Sequence, residues 1–340
     1  MSFELILPFL RPIEPLLLDE SVSEIMGNPD TSWWYERDGI VRREESISFD
    51  AAKLRTGLEV IANQLGKKLD EDNPVLHAQL PDGSRLAAVI PPVVRPAPAL
   101  TIRKFTSRHF TIDDLIARGT LTNAIADYLA EQIRTGKTLL ISGGTGTGKT
   151  TLLRILAHFI PEQDRIVVIE DTSELHIQKP NILAVECQTD TFKANISFDD
   201  LLKSALRWRP DRIILGEVRG IEARTLLDSF NTGHAGSLAT IHANSAEKAL
   251  RRFANLVMRN HAQSTFSDTE AEIGEAVDVV IHVERQPGRR ILREVLAIRG
   301  YDREAKRFQF EPVFEMRHGV SNDAAQSTSV SLKEKRYAIA

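Results

Sequence analysis

The sequence predicts an α/β fold, a mostly parallel sheet with helices on both faces, preceded by a smaller α+β domain. Two observations carry this expectation. From residue 139 onward, short apolar runs alternate with stretches of helical spacing, the pattern of strands joined by crossover helices. Before residue 98 the chain instead carries two hairpin signals and a single helical stretch. A chain of 340 residues is long enough for two domains with substantial cores.

The α+β domain is expected over residues 1–98. Its first strand starts near Val22, and residues 33–40 alternate in polarity around the Asp38-Gly39 turn. Leu54, Leu58, Ile61 and Leu65 have helical spacing. Residues 77–80 and 85–90 flank the turn Pro81-Asp82-Gly83-Ser84 and form the second hairpin. Trp33 and Trp34 adjoin on a strand, so they serve opposite faces, as packing residues rather than a stacking platform for a base. Prolines between 91 and 98 mark a stiff connection, and an inter-domain linker is expected over 99–110, with one short strand over 99–105. Thr111-Ile112-Asp113-Asp114 has an N-cap pattern and opens the second domain, expected over 111–320. Residues 321–340 are rich in Ser, Thr, Lys and Glu without a period, and are expected to be a disordered tail.

Within the second domain, strands are expected over 139–142, 165–169, 182–186, 212–215 and 237–242. Helices are expected over 149–159, 198–207, 221–231 and 246–258. A closing antiparallel pair is expected over 277–284 and 291–298 around Pro287-Gly288. In such a sheet a ligand sits beyond the carboxyl ends of the strands.

That is where the most informative stretch falls. Leu139 to Ile141 is an apolar strand, and Gly143-Gly144-Thr145-Gly146-Thr147-Gly148-Lys149-Thr150 fits G-x-x-x-x-G-K-[ST], with a helical pattern following. Glycines let the backbone curl so that successive N–H groups point at phosphate oxygens, and the new helix adds its positive end. Lys149 would reach the β- and γ-phosphates, the Thr150 hydroxyl would hold Mg²⁺, and Thr151 continues the cradle. The stretch therefore predicts ATP with Mg²⁺.

Hydrolysis also needs a carboxylate near the metal and one that orients or activates water. Two apolar strands end in acids. Residues 212–217 end in Glu217, a Walker B type of arrangement, and residues 166–174 end in Glu170, Asp171 and Glu174. His234 and His242 flank another strand. No cysteine or acid is spaced to complete a metal site with them, so they are read as hydrogen-bonding partners near the γ-phosphate.

Composition excludes several alternatives. Lys and Arg number 43 against 47 Asp and Glu, which argues for no bulk affinity for nucleic acid. The single cysteine, Cys187, cannot form an internal disulfide or a cysteine-based zinc site. No run is long enough to span a membrane, and the N-terminal apolar stretch is broken by Glu4, Arg11, Pro12, Glu14 and Pro15, unlike a signal peptide. A cytoplasmic location is the expectation.

The phosphate loop, EDTSE at 170–174, RPDRIILGEVRG and TGHAGSLATIHANS stand in the order and spacing of one family. The sequence resembles the secretion or traffic ATPases of type II and type IV secretion and type IV pili. It is most similar to the branch serving type IV secretion, conjugative transfer and tight-adherence pili. The resemblance implies a RecA-like phosphate-loop domain, a ring hexamer docked on inner-membrane platform proteins, and Glu174 and Glu217 as the catalytic acids. It also implies peripheral attachment to the inner membrane through partners, while the balanced charge and the lack of an aromatic-basic stripe lead to no expected direct nucleic-acid contact. The four-cysteine zinc insert of type II assembly ATPases is absent, which argues against that branch. An arginine commonly completes such sites, and Arg103, on the short strand joining the domains, is the candidate ahead of Arg95 among its prolines. The competing readings are a nucleotide-dependent switch or scaffold with negligible turnover, and a hexameric nucleic-acid motor.

Overall fold

The computed structural model describes residues 4, 6–37, 39–105, 110–188, 195–259, 265–286 and 289–316. The chain divides into two units, Met1–His109 and Phe110–Ala340.

In the first unit, two short 3₁₀ turns (Leu7–Phe9 and Arg11–Ile13) lead into helix α1 (Glu14–Leu18). Strands β1 (Val22–Gly27), β2 (Trp33–Arg37) and β3 (Ile40–Glu44) follow, then α2 (Ala51–Gln64), β4 (Val75–Gln79), β5 (Arg85–Val89) and β6 (Ala99–Arg103). The strands form one antiparallel sheet in the order β3-β2-β1-β6-β5-β4. Helix α2 begins at Asp50, whose carboxylate accepts the N–H groups of Ala52 and Lys53. It buries Leu54, Leu58 and Ile61 in the cluster that holds Ile25, Trp33 and Ile102. Trp33 is buried and Trp34 half-buried, as alternation along a strand requires.

The linker expected over 99–110 is corrected by this sheet. Ala99–Arg103 is an interior strand, paired with β1 on one side and β5 on the other. The proline-rich stretch is the turn that returns the chain from β5 to β6, so its stiffness serves a connection inside the unit. Asp38, residues 106–109, Pro287-Gly288 and the tail 321–340 lie outside the described residues.

The second unit opens with α3 (Ile112–Ala117), capped reciprocally by Thr111 and Asp114, and α4 (Asn123–Arg134). The alternating part then runs β7 (Leu139–Gly143), α5 (Lys149–Ala157), β8 (Ile166–Glu170), β9 (Ile182–Glu186), α6 (Phe198–Ala205), β10 (Arg212–Val218), α7 (Glu222–Asn231), β11 (Leu238–Ile241) and α8 (Ala246–Met258). Helix α9 (Phe266–Ala276) and strands β12 (Val279–Gln286), β13 (Arg289–Asp302) and β14 (Arg307–Glu315) complete it. The sheet order is β14-β13-β12-β7-β11-β10-β8-β9 among the described residues. It is parallel from β12 through β9 and antiparallel from β12 to β14.

Strand β7 lies inside the sheet and is buried along its whole length. Leu140 points into one core with Phe198, Leu226 and Phe253, while Leu139 and Ile141 point into the other with Leu129, Leu153 and Leu156. Helices therefore cover both faces, as the continuous apolar strands require. Neither α9 nor β14 was anticipated. The sequence of β14 buries few of its residues, Phe308 and Phe314 among them, so its alternation is faint. Among the described residues, no helix is long and apolar enough to cross a membrane.

Candidate active site

Strands β7, β11, β10 and β8 are neighbours and run parallel, so their carboxyl ends form one edge. The phosphate loop leaves β7 there. Gly146 and Gly148 have φ of 69° and 91°, left-handed values that favour glycine, and helix α5 starts directly afterwards. Lys149 is buried, and its Nζ donates to the carbonyl of Gly144 at 2.8 Å. Thr147 Oγ1 donates to the same carbonyl at 3.0 Å. Thr150 and Thr151 occupy the first turn of α5.

His242 follows β11 and stands between the lysine and an acid. Its Nε2 is 3.4 Å from Lys149 Nζ and 3.3 Å from Glu217 Oε1. The ammonium and the carboxylate can both be served by the tautomer with hydrogen on Nε2, which donates to Glu217 and leaves Nδ1, 3.5 Å from Lys149 Nζ, as an acceptor. Burial, followed by the Lys149 charge, lowers the His242 pKa from the ordinary histidine value, with Glu217 acting in the opposite sense. Thr240, inside β11, donates through Oγ1 to the Gly216 carbonyl at 2.5 Å and ties the base of Glu217 to its neighbour strand.

The acids after β8 divide into two kinds. Glu170 is buried, and its Oε1 accepts the backbone N–H groups of Glu174 at 3.0 Å and Leu175 at 3.1 Å. Burial pushes its pKa up to about 7, against those two bonds. Glu174 is half-buried in the loop that Glu170 anchors. Glu186 Oε1 accepts the N–H of Ser173 at 2.8 Å, and Asp171 pairs with Arg219 at 2.7 Å, joining the loop after β8 to the loop after β10. Glu222 holds that second loop by accepting the N–H groups of Arg219 and Gly220.

The sequence-derived candidates are thus sorted. The loop residues, His242 and Glu217 meet at one edge, and the Glu174 segment leaves the same edge. Glu170 is aimed back at its own loop, where its Oε1 anchors the Glu174 and Leu175 backbone. His234 precedes β11, at the opposite edge of the sheet from the loop, because β11 and β7 run parallel with Leu238 opposite Leu139. Its Nδ1 lies 3.3 Å from the Ser229 carbonyl, and its own carbonyl accepts from Ser237 Oγ. Arg103 is exposed on β6 of the first unit, and Arg95 is exposed in the β5–β6 connection.

Sequence reasoning missed the contribution of β12 and β13. Ser142 Oγ, just below the loop, donates to the Ile281 carbonyl at 3.1 Å and lies 2.9 Å from Nδ1 of the buried His282. Arg290 Nε donates to the Gly146 carbonyl at 3.1 Å. The available signal is the cluster of arginines at 285, 289 and 290 in the expected hairpin.

Mg²⁺ normally keeps several waters and is shared with substrate phosphates. Among the described residues no group of three or more His, Cys, Asp or Glu side chains could hold a metal ion. The Thr150 hydroxyl and the Glu217 carboxylate are hard oxygen donors at the loop edge, a set that suits Mg²⁺ carried in with a nucleotide.

Residues 10–305 match the family described as type II/IV secretion system protein. The probable conjugal transfer protein TrbB of Sinorhizobium fredii is 38% identical over 285 residues, covering 82% of this chain and 84% of that protein. The type IV secretion system protein PtlH of Bordetella pertussis is 33% identical over 316 residues, covering 85% of this chain and 93% of that protein. In fold, the chain is similar to the pilus retraction motor PilT, solved with bound ADP, with a TM-score of 0.61 at 19% identity over 89% of this chain and 85% of that one.

Proposed function

The chain belongs to the type II/IV secretion system protein family, and from that premise we propose that it is a hexameric motor that hydrolyses Mg²⁺-ATP to power type IV secretion, conjugative transfer or pilus assembly. The observation that carries this reading is the run Lys149–His242–Glu217 across the ends of β7, β11 and β10. It sets a phosphate-seeking cation, a neutral hydrogen-bonding ring and a carboxylate side by side.

Each part has a task in γ-phosphoryl transfer to water. The loop N–H groups and the α5 N-terminus bind the phosphates. Lys149 neutralises charge that grows on the oxygens between β- and γ-phosphorus. Thr150 and Glu217 would hold Mg²⁺, which when bound would supply further neutralisation of the phosphate charge. Glu174 accepts the proton of the attacking water as its oxygen bonds to phosphorus and the bond to the ADP oxygen breaks. His242 keeps Lys149 and Glu217 apart and oriented. Arg103 is proposed to complete the charge stabilisation.

The motor works as a homohexamer at the inner membrane, attached through platform proteins of the secretion or pilus machine. Phosphate release from Mg²⁺-ATP tests the activity. Turnover is expected from the wild-type protein and none from Lys149→Ala, whose nucleotide binding also weakens. Turnover in Lys149→Ala equal to wild type would remove the reading. Light scattering with a non-hydrolysable ATP analogue tests assembly, a strict monomer being the contrary result.

A further inference from the structure

The hairpin of β12 and β13 reaches past the end of β7 and borders the phosphate loop. Val283 is opposite Gly143 in the parallel register, and beyond it Arg285 is paired directly with Arg290 across the two strands. The loop glycines are shaped to this neighbour. A Cβ at Gly143 would meet the Val283 carbonyl at 2.5 Å, one at Gly146 would meet Arg285 Nη1 at 3.2 Å, and one at Gly148 would meet Arg290 Cδ at 3.2 Å. Gly146 and Gly148 also have left-handed φ, so two separate constraints keep side chains away from the arginines. The hairpin and the loop are one built contact, and a polar link within it is the bond from Arg290 Nε to the Gly146 carbonyl.

We infer that Arg290 is a positioning residue for nucleotide binding, acting through the Gly146 peptide rather than through its charge. The carbonyl oxygen and the amide hydrogen of a trans peptide lie on opposite sides. A Gly146 carbonyl drawn to Arg290 turns the Thr147 N–H away from the hairpin and toward the phosphate side of the loop. Without that bond, the glycine-rich apex is free to rotate its peptides, and the donors must be ordered when the nucleotide arrives. The inference rests on the loop's being a nucleotide site and adds a residue that the loop motif does not contain.

The substitution that separates geometry from charge is Arg290→Lys. Lysine keeps the positive charge on a flexible stem but has no Nε–H in the guanidinium position. Arg289→Ala is the control: it removes an equal charge from the same exposed tip, where Arg289 Nε donates to Gln286 rather than to the loop. The probe is a fluorescent ADP analogue with Mg²⁺, and KM and kcat for ATP are measured alongside. Arg290→Ala and Arg290→Lys are expected to bind the probe about tenfold more weakly, the order that one hydrogen bond from a charged donor contributes. KM rises in parallel while kcat at saturation stays within about twofold, the signature of lost uniform binding. Arg289→Ala binds as wild type. Recovery of affinity by lysine would overturn the inference in favour of simple charge attraction, and so would an equal loss in Arg289→Ala or no loss in Arg290→Ala. If the wild-type protein failed to bind the probe, the nucleotide reading itself would fall and this inference with it.

Discussion

His242 Nε2 stands 3.3 Å from Glu217 Oε1, so the residue after one strand holds the acid at the end of the next. The same ring is 3.4 Å from Lys149 Nζ. An imidazole that donates to a carboxylate and accepts from an ammonium must be neutral, and the lowered His242 pKa keeps it so at neutral pH. Protonation would set an imidazolium against Lys149 and remove the acceptor. Turnover is therefore expected to hold as pH falls toward the ordinary histidine value and to collapse below it. His242→Gln offers an amide donor and acceptor that does not titrate. A pH–rate profile of that variant should lose the histidine part of the acid limb, and an unchanged limb would assign it to a carboxylate.

The acids after β8 and β10 are expected to separate by role. Glu174→Gln and Glu217→Gln keep the shape but remove charge and basicity, so both should bind ATP yet lose hydrolysis by about 10²–10⁴-fold where the acid acts as a base. Glu170→Gln retains an oxygen able to accept the Glu174 and Leu175 N–H groups. Its rate at neutral pH should fall far less. Single-turnover measurements decide, and a dead Glu170→Gln beside a normal Glu174→Gln would exchange the two roles.

Glu170 also makes a stability prediction with a definite sign. Its pKa is about 7 in the folded protein against 4.5 for the free group, because burial disfavours the charged form. The unfolded chain therefore releases this proton first as pH rises, and stability falls between those two values. A shift of this size corresponds to an upper figure on the order of 3 kcal/mol. Glu170→Gln has no such proton, so melting temperatures of the nucleotide-free protein should drop less in the variant than in wild type between pH 5 and pH 8. Parallel curves would show that the carboxylate is already ionised in the folded state.

What the chain revealed in advance follows from how local each signal is. The loop, Glu217 and the Glu174 segment were legible because strand, turn and acid are consecutive in sequence. Their meeting at one edge followed from parallel topology alone. His234 and His242 flank one strand and look equivalent in sequence, whereas a strand sends its ends to opposite edges of the sheet, and of the two His242 stands at the loop edge. Glu170 and Glu174 could not be told apart because burial and the direction of a carboxylate depend on packing. Arg290 was invisible because its partner Gly146 is 144 residues away in the chain. The linker was drawn from residue 99 because the proline-rich stretch just before it marks a change of composition, which looks the same whether it separates domains or joins two strands of one sheet.

Arg103 remains the proposal with the widest gap between its two outcomes. It is exposed on β6, opposite Glu24 on one neighbouring strand and Arg85 on the other. As an ordinary surface charge beside Glu24, it would contribute at most about 1 kcal/mol, and its loss would leave turnover nearly intact. As the arginine that stabilises the transferring phosphoryl group, it would be needed for about 10³–10⁵ in rate. Position on an interior strand favours a fixed direction, since both neighbours constrain the β6 backbone and the side-chain stem with it. Arg103→Ala should therefore melt at the wild-type temperature and bind the ADP analogue normally, yet release almost no phosphate from ATP. Arg95→Ala, in the exposed connection between β5 and β6, should behave as wild type. A loss of less than about threefold in Arg103→Ala would return it to the surface charges, because an interaction made only in the transition state must lower kcat in full proportion.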